Sequence, residues 1–261
     1  MPLRRVDLIV GALRSPRLLA LSLLWSFLSP VLGGDAELDT VRKKLAKNLP
    51  EISSEQIRRS DAAGLFEVQN GMAIGYVTPD GRYLVQGDLI DLKSREVITD
   101  KRRNQYRLDR IANLEDSVIE FAPSQDKVRH RIHVFVDVDC EYCRELHQEV
   151  PELNQAGVAV EYLFYPRRGE DSKGFELAEL AYCSEDHSQA LNQMLNGKRP
   201  TGAKLPCENP VAQHLATALE LEVRGTPMIV LADGSILYGY VPAQTLIDVL
   251  DGNTPETVPQ D

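Results

Sequence analysis

Four consecutive residues, Cys140-Glu141-Tyr142-Cys143, carry the chemistry most directly legible in this chain. Two thiols in a Cys-x-x-Cys pair can close a disulfide on each other and exchange it with a second disulfide through a mixed-disulfide intermediate. The thiolate is the nucleophile, and a free thiol with pKa near 8.5 is only about 3% ionised at neutral pH. A sulfur at a helix N-terminus, beside unpaired N–H groups and the positive end of the dipole, is more readily ionised. Cys140 is the residue so placed and is expected to be the more exposed nucleophile. Cys143, one turn further in, is expected to be shielded and to act as the resolving thiol.

The flanking residues supply the elements that would hold such a pair. Arg131 to Asp139 is an apolar run with Val and Phe, and the expected strand spans residues 132–138. Cys143, Leu146 and Val150 then recur at steps of three and four, one face of a helix. Pro151 removes a backbone donor and is expected to bend that helix before it ends at Gly157. Other uses of the pair fit less well. A zinc site normally needs four convergent ligands, and a second Cys-x-x-Cys is absent. His147 follows at a suitable helical phase, but one helix cannot build a tetrahedral site. Covalent haem would need His at position 144, where Arg144 stands. An inert structural disulfide remains as the plain alternative, although so small a ring stabilises little.

The compartment suits redox chemistry. Arg4, Arg5, Arg14 and Arg17 precede the apolar run Leu18 to Leu28, which gives way to Ser29-Pro30-Val31-Leu32-Gly33-Gly34. That pattern describes a secretory signal peptide over residues 1–34, and the run is short of the roughly 20 residues of a spanning helix. All four cysteines follow it, and an even count in an exported chain favours disulfides over metal. The formal charge is −10 and the leader is basic, so the exported part is more acidic still. Such a surface argues against nucleic acid and anionic membranes as partners.

Along the remaining chain, residues 39–49 read as a short amphipathic helix and 64–92 as alternating strands. Pro79-Asp80-Gly81 forms a hairpin turn between strands 73–77 and 83–86. This first unit, 36–97, is too small to bury much core alone and would gain from pairing with a second copy across a sheet edge. The charged residues Lys101, Arg102, Arg103, Arg107 and Arg110 belong to a linker helix over 98–117, which we prefer to a basic nucleic-acid patch. A second unit, 118–250, continues with a strand over 158–165 and helices over 175–182, 189–195 and 211–221. The last of these helices is opened by Asn209-Pro210 as cap and first residue. Strands 228–231 and 236–240 and a helix over 242–250 complete it. The order is that of an α+β, thioredoxin-like fold with a helical insertion. Residues 251–261, with Pro255 and Pro259, are expected to be disordered.

With these pieces assembled, the chain resembles the periplasmic thiol:disulfide interchange proteins of the DsbC family. The resemblance is carried by Phe135 to His147 around the cysteines, by Tyr165-Pro166-Arg167-Arg168-Gly169, by Gly225-Thr226-Pro227, and by Asp80-Gly81 with Gln86-Gly87. It implies a small cystatin-like α+β dimerisation domain, a linker helix and a thioredoxin-like catalytic domain, assembled as a V-shaped homodimer with a shared cleft. It implies that Cys140 is the nucleophile and Cys143 the resolving thiol. Tyr142, Thr226 and a cis Pro227 would then form the substrate platform, with the Thr226 backbone free to pair with an extended peptide. Cys183 and Cys207 match the family's structural disulfide within the helical insertion.

The implied activity is isomerisation and reduction of incorrect disulfides in misoxidised exported proteins. It would take place in the periplasm of a Gram-negative bacterium, with a membrane-embedded DsbD-type thiol reductase as electron donor and with no cofactor or metal. The alternatives are a DsbG-like sulfenic-acid reductase and a holdase chaperone independent of the thiols. The family commonly has Gly where Glu141 stands. With Asp139 and Glu145 nearby, that charge is expected to disfavour the Cys140 thiolate.

Overall fold

The computed structural model describes residues 33–200 and 202–253. The expected leader lies almost wholly outside them, as does the tail beyond Asn253. The described residues begin with helix α1 (Gly33–Asn48). Four short strands follow: β1 (Ile57–Arg59), β2 (Phe66–Asn70), β3 (Ala73–Val77) and β4 (Leu84–Gln86). They pair in sequence order as an antiparallel meander. Between β3 and β4 the chain reverses through Gly81, whose N–H donates to Thr78 O at 2.8 Å and whose φ is +70°. An L side chain rarely adopts that φ, which is why glycine stands there. Val41 and Leu45 of α1 bury against Ile57, Phe66, Val68 and Val77 to form a small separate core.

Strand β1 has no counterpart in the sequence reading, and β2 falls within the expected strands of 64–92 without having been delimited there, because charged residues interrupt their apolar pattern. Glu67 on β2 is fully buried and accepts from Arg58 Nε at 2.6 Å, while Arg102 Nε stands 3.5 Å from its other oxygen. The ion pair lets an acid occupy a position that alternation alone would leave apolar.

Helix α2 (Ile98–Ala112) joins the two units and is tied to each. At its start Thr99 Oγ1 shares a 2.7 Å hydrogen bond with Tyr76 OH and accepts from Leu89 N at 2.7 Å. Further along, Tyr106 OH donates to Glu220, Arg110 Nη2 lies 2.8 Å from the same carboxylate, and Arg107 donates to Gly234 O. A Cβ built on Gly234 would stand 2.5 Å from Asn104 O, so that turn meets the helix backbone directly.

The second unit contains strands β5 (Ile119–Phe121) and β6 (His130–Val136), then helices α3 (Glu141–Gln148) and α4 (Val150–Gln155), then strand β7 (Val158–Phe164). Helices α5 (Lys173–Tyr182), α6 (His187–Leu195) and α7 (Val211–Glu220) form the insertion. Strands β8 (Met228–Val230) and β9 (Ile236–Tyr238) and helix α8 (Ala243–Leu250) end the fold. The sheet order is β5-β7-β6-β8-β9, with β6 and β7 parallel and the other pairs antiparallel. Every residue of β7 is buried, as expected of a strand covered on both faces.

Alternation sorts these strands onto two layers. Ile132, Val134, Val136, Val160, Tyr162 and Phe164 share a core with Cys143, Leu146 and Leu153 of α3 and α4. Phe135, Leu163, Met228 and Val230 face the other way, against Ile111 and Leu114 at the end of the linker helix. Burying each large aliphatic side chain contributes about 1.5–3 kcal/mol, so both faces hold the sheet that aims the cysteines.

Three details differ from expectation. Pro151 splits rather than bends its helix: α3 stops at Gln148, Glu149 caps both pieces, and Pro151 sits in the first turn of α4, where its missing N–H costs nothing. Helix α7 starts at Val211 as expected, but its N-cap is Pro210 rather than Asn209, whose Oδ1 accepts from Val211 N at 3.2 Å. Asp251, assigned to the disordered tail, accepts from Arg129 Nη2 at 2.6 Å and lies 2.8 Å from His130 Nε2.

Candidate active site

The turn that delivers the cysteines is built by Asp137, the first residue beyond β6. Its carbonyl accepts from Cys140 N at 3.0 Å and its Oδ1 accepts from Asp139 N at 3.0 Å, closing a tight Asx-type turn. Cys140 is thereby placed at the N-cap of α3, with extended backbone (φ −95°, ψ 126°), and its carbonyl accepts from Arg144 N at 3.3 Å. Its side chain points to the end of the helix where N–H groups are unpaired. Cys143 lies within the first turn and faces the core.

Strand β8 brings the second half of the site. It runs antiparallel to β6 with Met228 opposite Phe135, so the residues just before β8 arrive beside the residues just after β6. Those residues are Thr226 and Pro227, joined by a cis peptide bond. The Cys140 thiol lies 3.3 Å from Thr226 O. The Thr226 hydroxyl is buried beside the two sulfurs and has no oxygen or nitrogen partner among the described residues. Tyr142 projects from the opposite rim and is 59% exposed.

Both cysteines are free and buried, Cys140 3% and Cys143 1% exposed. The expected contrast in exposure is therefore almost absent, because the Thr226-Pro227 segment covers Cys140. The contrast lies in acidity instead. The Cys140 thiol is lowered from 9.0 to about 5, first by a hydrogen bond from Cys143 and, against the cost of burial, by hydrogen bonds from the Thr226 side chain and Cys143 N–H and by the charge of Arg167. Burial pushes the Cys143 thiol far up, as do its hydrogen bond to Cys140 and the negative charge there. At neutral pH this arrangement is one thiolate and one thiol that donates to it.

The expected effect of neighbouring acids does not dominate. Asp137 is buried and bridged by Arg167 Nε at 3.0 Å, with Arg167 N also donating to it at 3.2 Å. The Asp139 carboxylate faces Arg168 at 3.8 Å and Arg144 at 4.0 Å. Glu141 points to solvent on the first turn of α3. Both aspartates of the turn thus face an arginine, and the charge acting on Cys140 is that of Arg167.

Asp137 and Arg167 were not singled out as site residues from sequence, although an acid closing an otherwise apolar strand was the available signal. Beneath the cysteines the structure also groups three further polar residues. His147 Nδ1 lies 3.0 Å from Tyr162 OH, and His147 Nε2 lies 3.0 Å from Asn192 Oδ1. Cys183 and Cys207 are joined by a disulfide with Cα atoms 5.8 Å apart, linking the end of α5 to the segment before α7.

Comparison with known proteins agrees with this geometry. A model of a thioredoxin-like domain matches residues 115–253, and a model of the disulfide bond isomerase protein N-terminal domain matches residues 33–100. The thiol:disulfide interchange protein DsbC of Dickeya dadantii is 30% identical over 230 residues, covering 88% of this chain and 94% of that protein. Its counterpart in Escherichia coli K12 is 31% identical over 220 residues, covering 84% and 90%. A solved disulfide interchange protein from Neisseria gonorrhoeae is 27% identical, covers 54% of this chain and 98% of its own, and superposes with a TM-score of 0.48.

Proposed function

Since the chain belongs to the DsbC family of thiol:disulfide interchange proteins, we propose that it isomerises and reduces incorrect disulfides in exported proteins with Cys140 as nucleophile and Cys143 as resolving thiol. The observation that carries these roles is the unequal acidity of the two sulfurs at one helix N-terminus, one lowered to about 5 and the other raised. The Cys140 thiolate attacks one sulfur of a substrate disulfide, and the other sulfur leaves as a thiolate. A substrate thiol that then attacks the mixed disulfide completes an isomerisation with no net redox change. Attack by Cys143 instead releases a reduced substrate and leaves the Cys140–Cys143 disulfide.

Thr226, Pro227 and Tyr142 line the approach to Cys140 and form the substrate platform. A peptide laid along Thr226 in extended form would present its disulfide to the thiolate from the solvent side. The Cys183–Cys207 disulfide is structural, since neither cysteine precedes a helix from a core strand.

The working unit is a homodimer joined through the N-terminal sheet. Strand β4 is an exposed edge, and Tyr83, Val85, Ile90 and Leu92 around it are exposed apolar residues. An edge of that kind invites pairing with another strand, and a second copy satisfies it symmetrically. No helix among the described residues is long and apolar enough to cross a membrane. The leader pattern and the Cys183–Cys207 disulfide support a periplasmic location, where a membrane-embedded DsbD-type thiol reductase would return the pair to the dithiol.

Trapping tests this reading. A Cys143→Ala variant should accumulate mixed disulfides through Cys140 in cells, while Cys140→Ser should trap none and should fail to reactivate scrambled ribonuclease. Normal reactivation by Cys140→Ser would refute the assignment.

A further inference from the structure

Resolution by Cys143 raises a problem that the Cys pair alone does not solve. While both cysteines are reduced, Cys143 donates its proton to Cys140. Once Cys140 is tied up in a mixed disulfide, Cys143 must lose that proton to become a nucleophile, and it sits at 1% exposure, away from water. Asp137 is a poor recipient: its oxygens already accept from Asp139 N, Arg167 N and Arg167 Nε.

His147 lies four residues after Cys143 on the same buried face of α3, a spacing that puts Cβ atoms about 5–6 Å apart. Its surroundings define its tautomer. Asn192 Oδ1 also accepts from Asn196 Nδ2 at 3.0 Å, which fixes that atom as the carbonyl oxygen. His147 Nε2 must then carry the hydrogen that it shares with Asn192, and Nδ1 is the basic nitrogen that accepts from Tyr162 OH. Tyr162, buried in the same core as Cys143, keeps oxygen lone pairs free for a further donor. Phe121 of β5 closes the pocket, with its ring centroid 5.0 Å from that of His147. The side chains that the structure places against His147 from β5, β7 and α6 are Phe121, Tyr162 and Asn192, none with a formal charge. Burial lowers the pKa of His147, so the imidazole enters the step neutral, and the charge of an ionised Cys143 is felt at the Tyr162 hydroxyl.

We propose that His147, acting through the Tyr162 hydroxyl, accepts the proton of Cys143 when that thiol resolves the mixed disulfide. The thiol proton passes to Tyr162 oxygen as the Tyr162 proton passes to His147 Nδ1. The Cys143 thiolate attacks Cys140 Sγ, the Cys140–Cys143 bond forms, and the bond from Cys140 to the substrate sulfur breaks. The electron pair leaves on that sulfur as a thiolate, which is protonated from solvent. The substrate gains two electrons and the cysteine pair loses two. The proposal rests on Cys143 being the resolving thiol.

Reaction of the reduced protein with the aromatic disulfide dithiobis-nitrobenzoate separates the steps, since the first aryl thiolate reports Cys140 attack and the second reports resolution. Cys143→Ala must abolish the second phase; if it does not, the assignment of Cys143 fails, independently of His147. His147→Gln and Tyr162→Phe should leave the first phase unchanged and slow the second roughly a hundredfold at neutral pH, the low end of general-base effects. The loss should shrink as pH rises and hydroxide replaces the base. Asn192→Asp, at an exposed position, keeps the packing but places a carboxylate on His147, and should move the acid limb of the second phase to higher pH. Unchanged second phases, or equal slowing of both phases, would overturn the proposal. If His147→Gln does not fold, Asn192→Asp decides, and an unmoved limb counts against it.

Discussion

Arg167 Nε lies 3.0 Å from Asp137 Oδ2, a bridge between the segment after β7 and the turn that presents Cys140. Asp137 is buried, so the pair both satisfies a carboxylate within the protein and places a positive charge near the reactive sulfur. One contact therefore links the stability of the turn to the acidity of Cys140.

Arg167→Ala should raise the Cys140 pKa above about 5, because the Arg167 charge is among the effects that lower it. The same change removes the side-chain donor of a buried carboxylate, which keeps the Asp139 and Arg167 N–H groups, at a cost of about 1–3 kcal/mol. Thiolate absorbance across a pH series measures the first effect and urea unfolding the second. An unshifted thiol would show that Arg167 acts only on the turn.

Thr226→Val removes the buried hydroxyl that hydrogen-bonds the sulfurs and keeps the side-chain shape. Its pKa effect should resemble that of Arg167→Ala, with a smaller loss of stability, since the Thr226 hydroxyl has no other partner among the described residues. The Cys140 thiol should titrate higher and the disulfide should become less oxidising, since the reduced form loses part of its stabilisation. Equilibration with glutathione would detect this, and a more oxidising disulfide would contradict it.

The reduced protein should be least stable in acid. Cys140 has a folded pKa of about 5 against 9.0 for a free thiol, so the unfolded chain binds the extra proton between those values. A depressed pKa contributes stability in full above pH 9 and loses it as pH falls through 5. At neutral pH the contribution is on the order of 2 kcal/mol. Urea midpoints of the reduced protein at several pH values, compared with Cys140→Ser, isolate it. A flat difference across that window would contradict the low pKa.

Replacing both Cys183 and Cys207 by Ala should cost about 3.5 kcal/mol for a separation of 24 residues. Cys140 should keep its acidity, because the disulfide ties α5 to the segment before α7 rather than to the turn at Asp137. Thermal unfolding and thiol titration of the double variant give the two readings. A changed thiol pKa would show that the insertion helps to set the site.

Val85→Asp on the exposed β4 edge should leave the fold intact and yield monomers in sedimentation, since it sets like charges across a symmetric strand pairing. Monomers should still react through Cys140 but reactivate scrambled ribonuclease poorly. An unaltered dimer would move the interface elsewhere.

Local pattern carried much of this fold. The run into Cys140, the helical spacing of Cys143 and Leu146, and the glycine at position 81 each state a conformation within a few residues. Where the sequence reading fell short, the cause was a partner far along the chain. The bounds of β2 were not legible because its buried acid, Glu67, is met by Arg58 and Arg102, and nothing near residue 67 announces Arg102. His147 is weighed from sequence only as a metal ligand because Tyr162 and Asn192, its partners, come from β7 and α6. The break at Gln148 depended on whether Pro151 fell inside a turn or at the start of one, and spacing alone does not decide that.

The contact between Gly234 and the backbone of Asn104 also bears on how far apart two reactive sulfurs would stand in a dimer. With no side chain at 234, and with Glu220 holding Tyr106 and Arg110, the linker helix is clamped to the thioredoxin-like domain along much of its length. Helix and domain therefore form one arm. The N-terminal unit meets that arm through the hydrogen bonds of Thr99 to Tyr76 and Leu89, the ion pair of Arg103 with Asp88 and the packing of Met72 against Ala218 and Leu221. In a dimer made through the N-terminal sheets, the distance between the two sulfurs would depend on that joint, far from either cysteine.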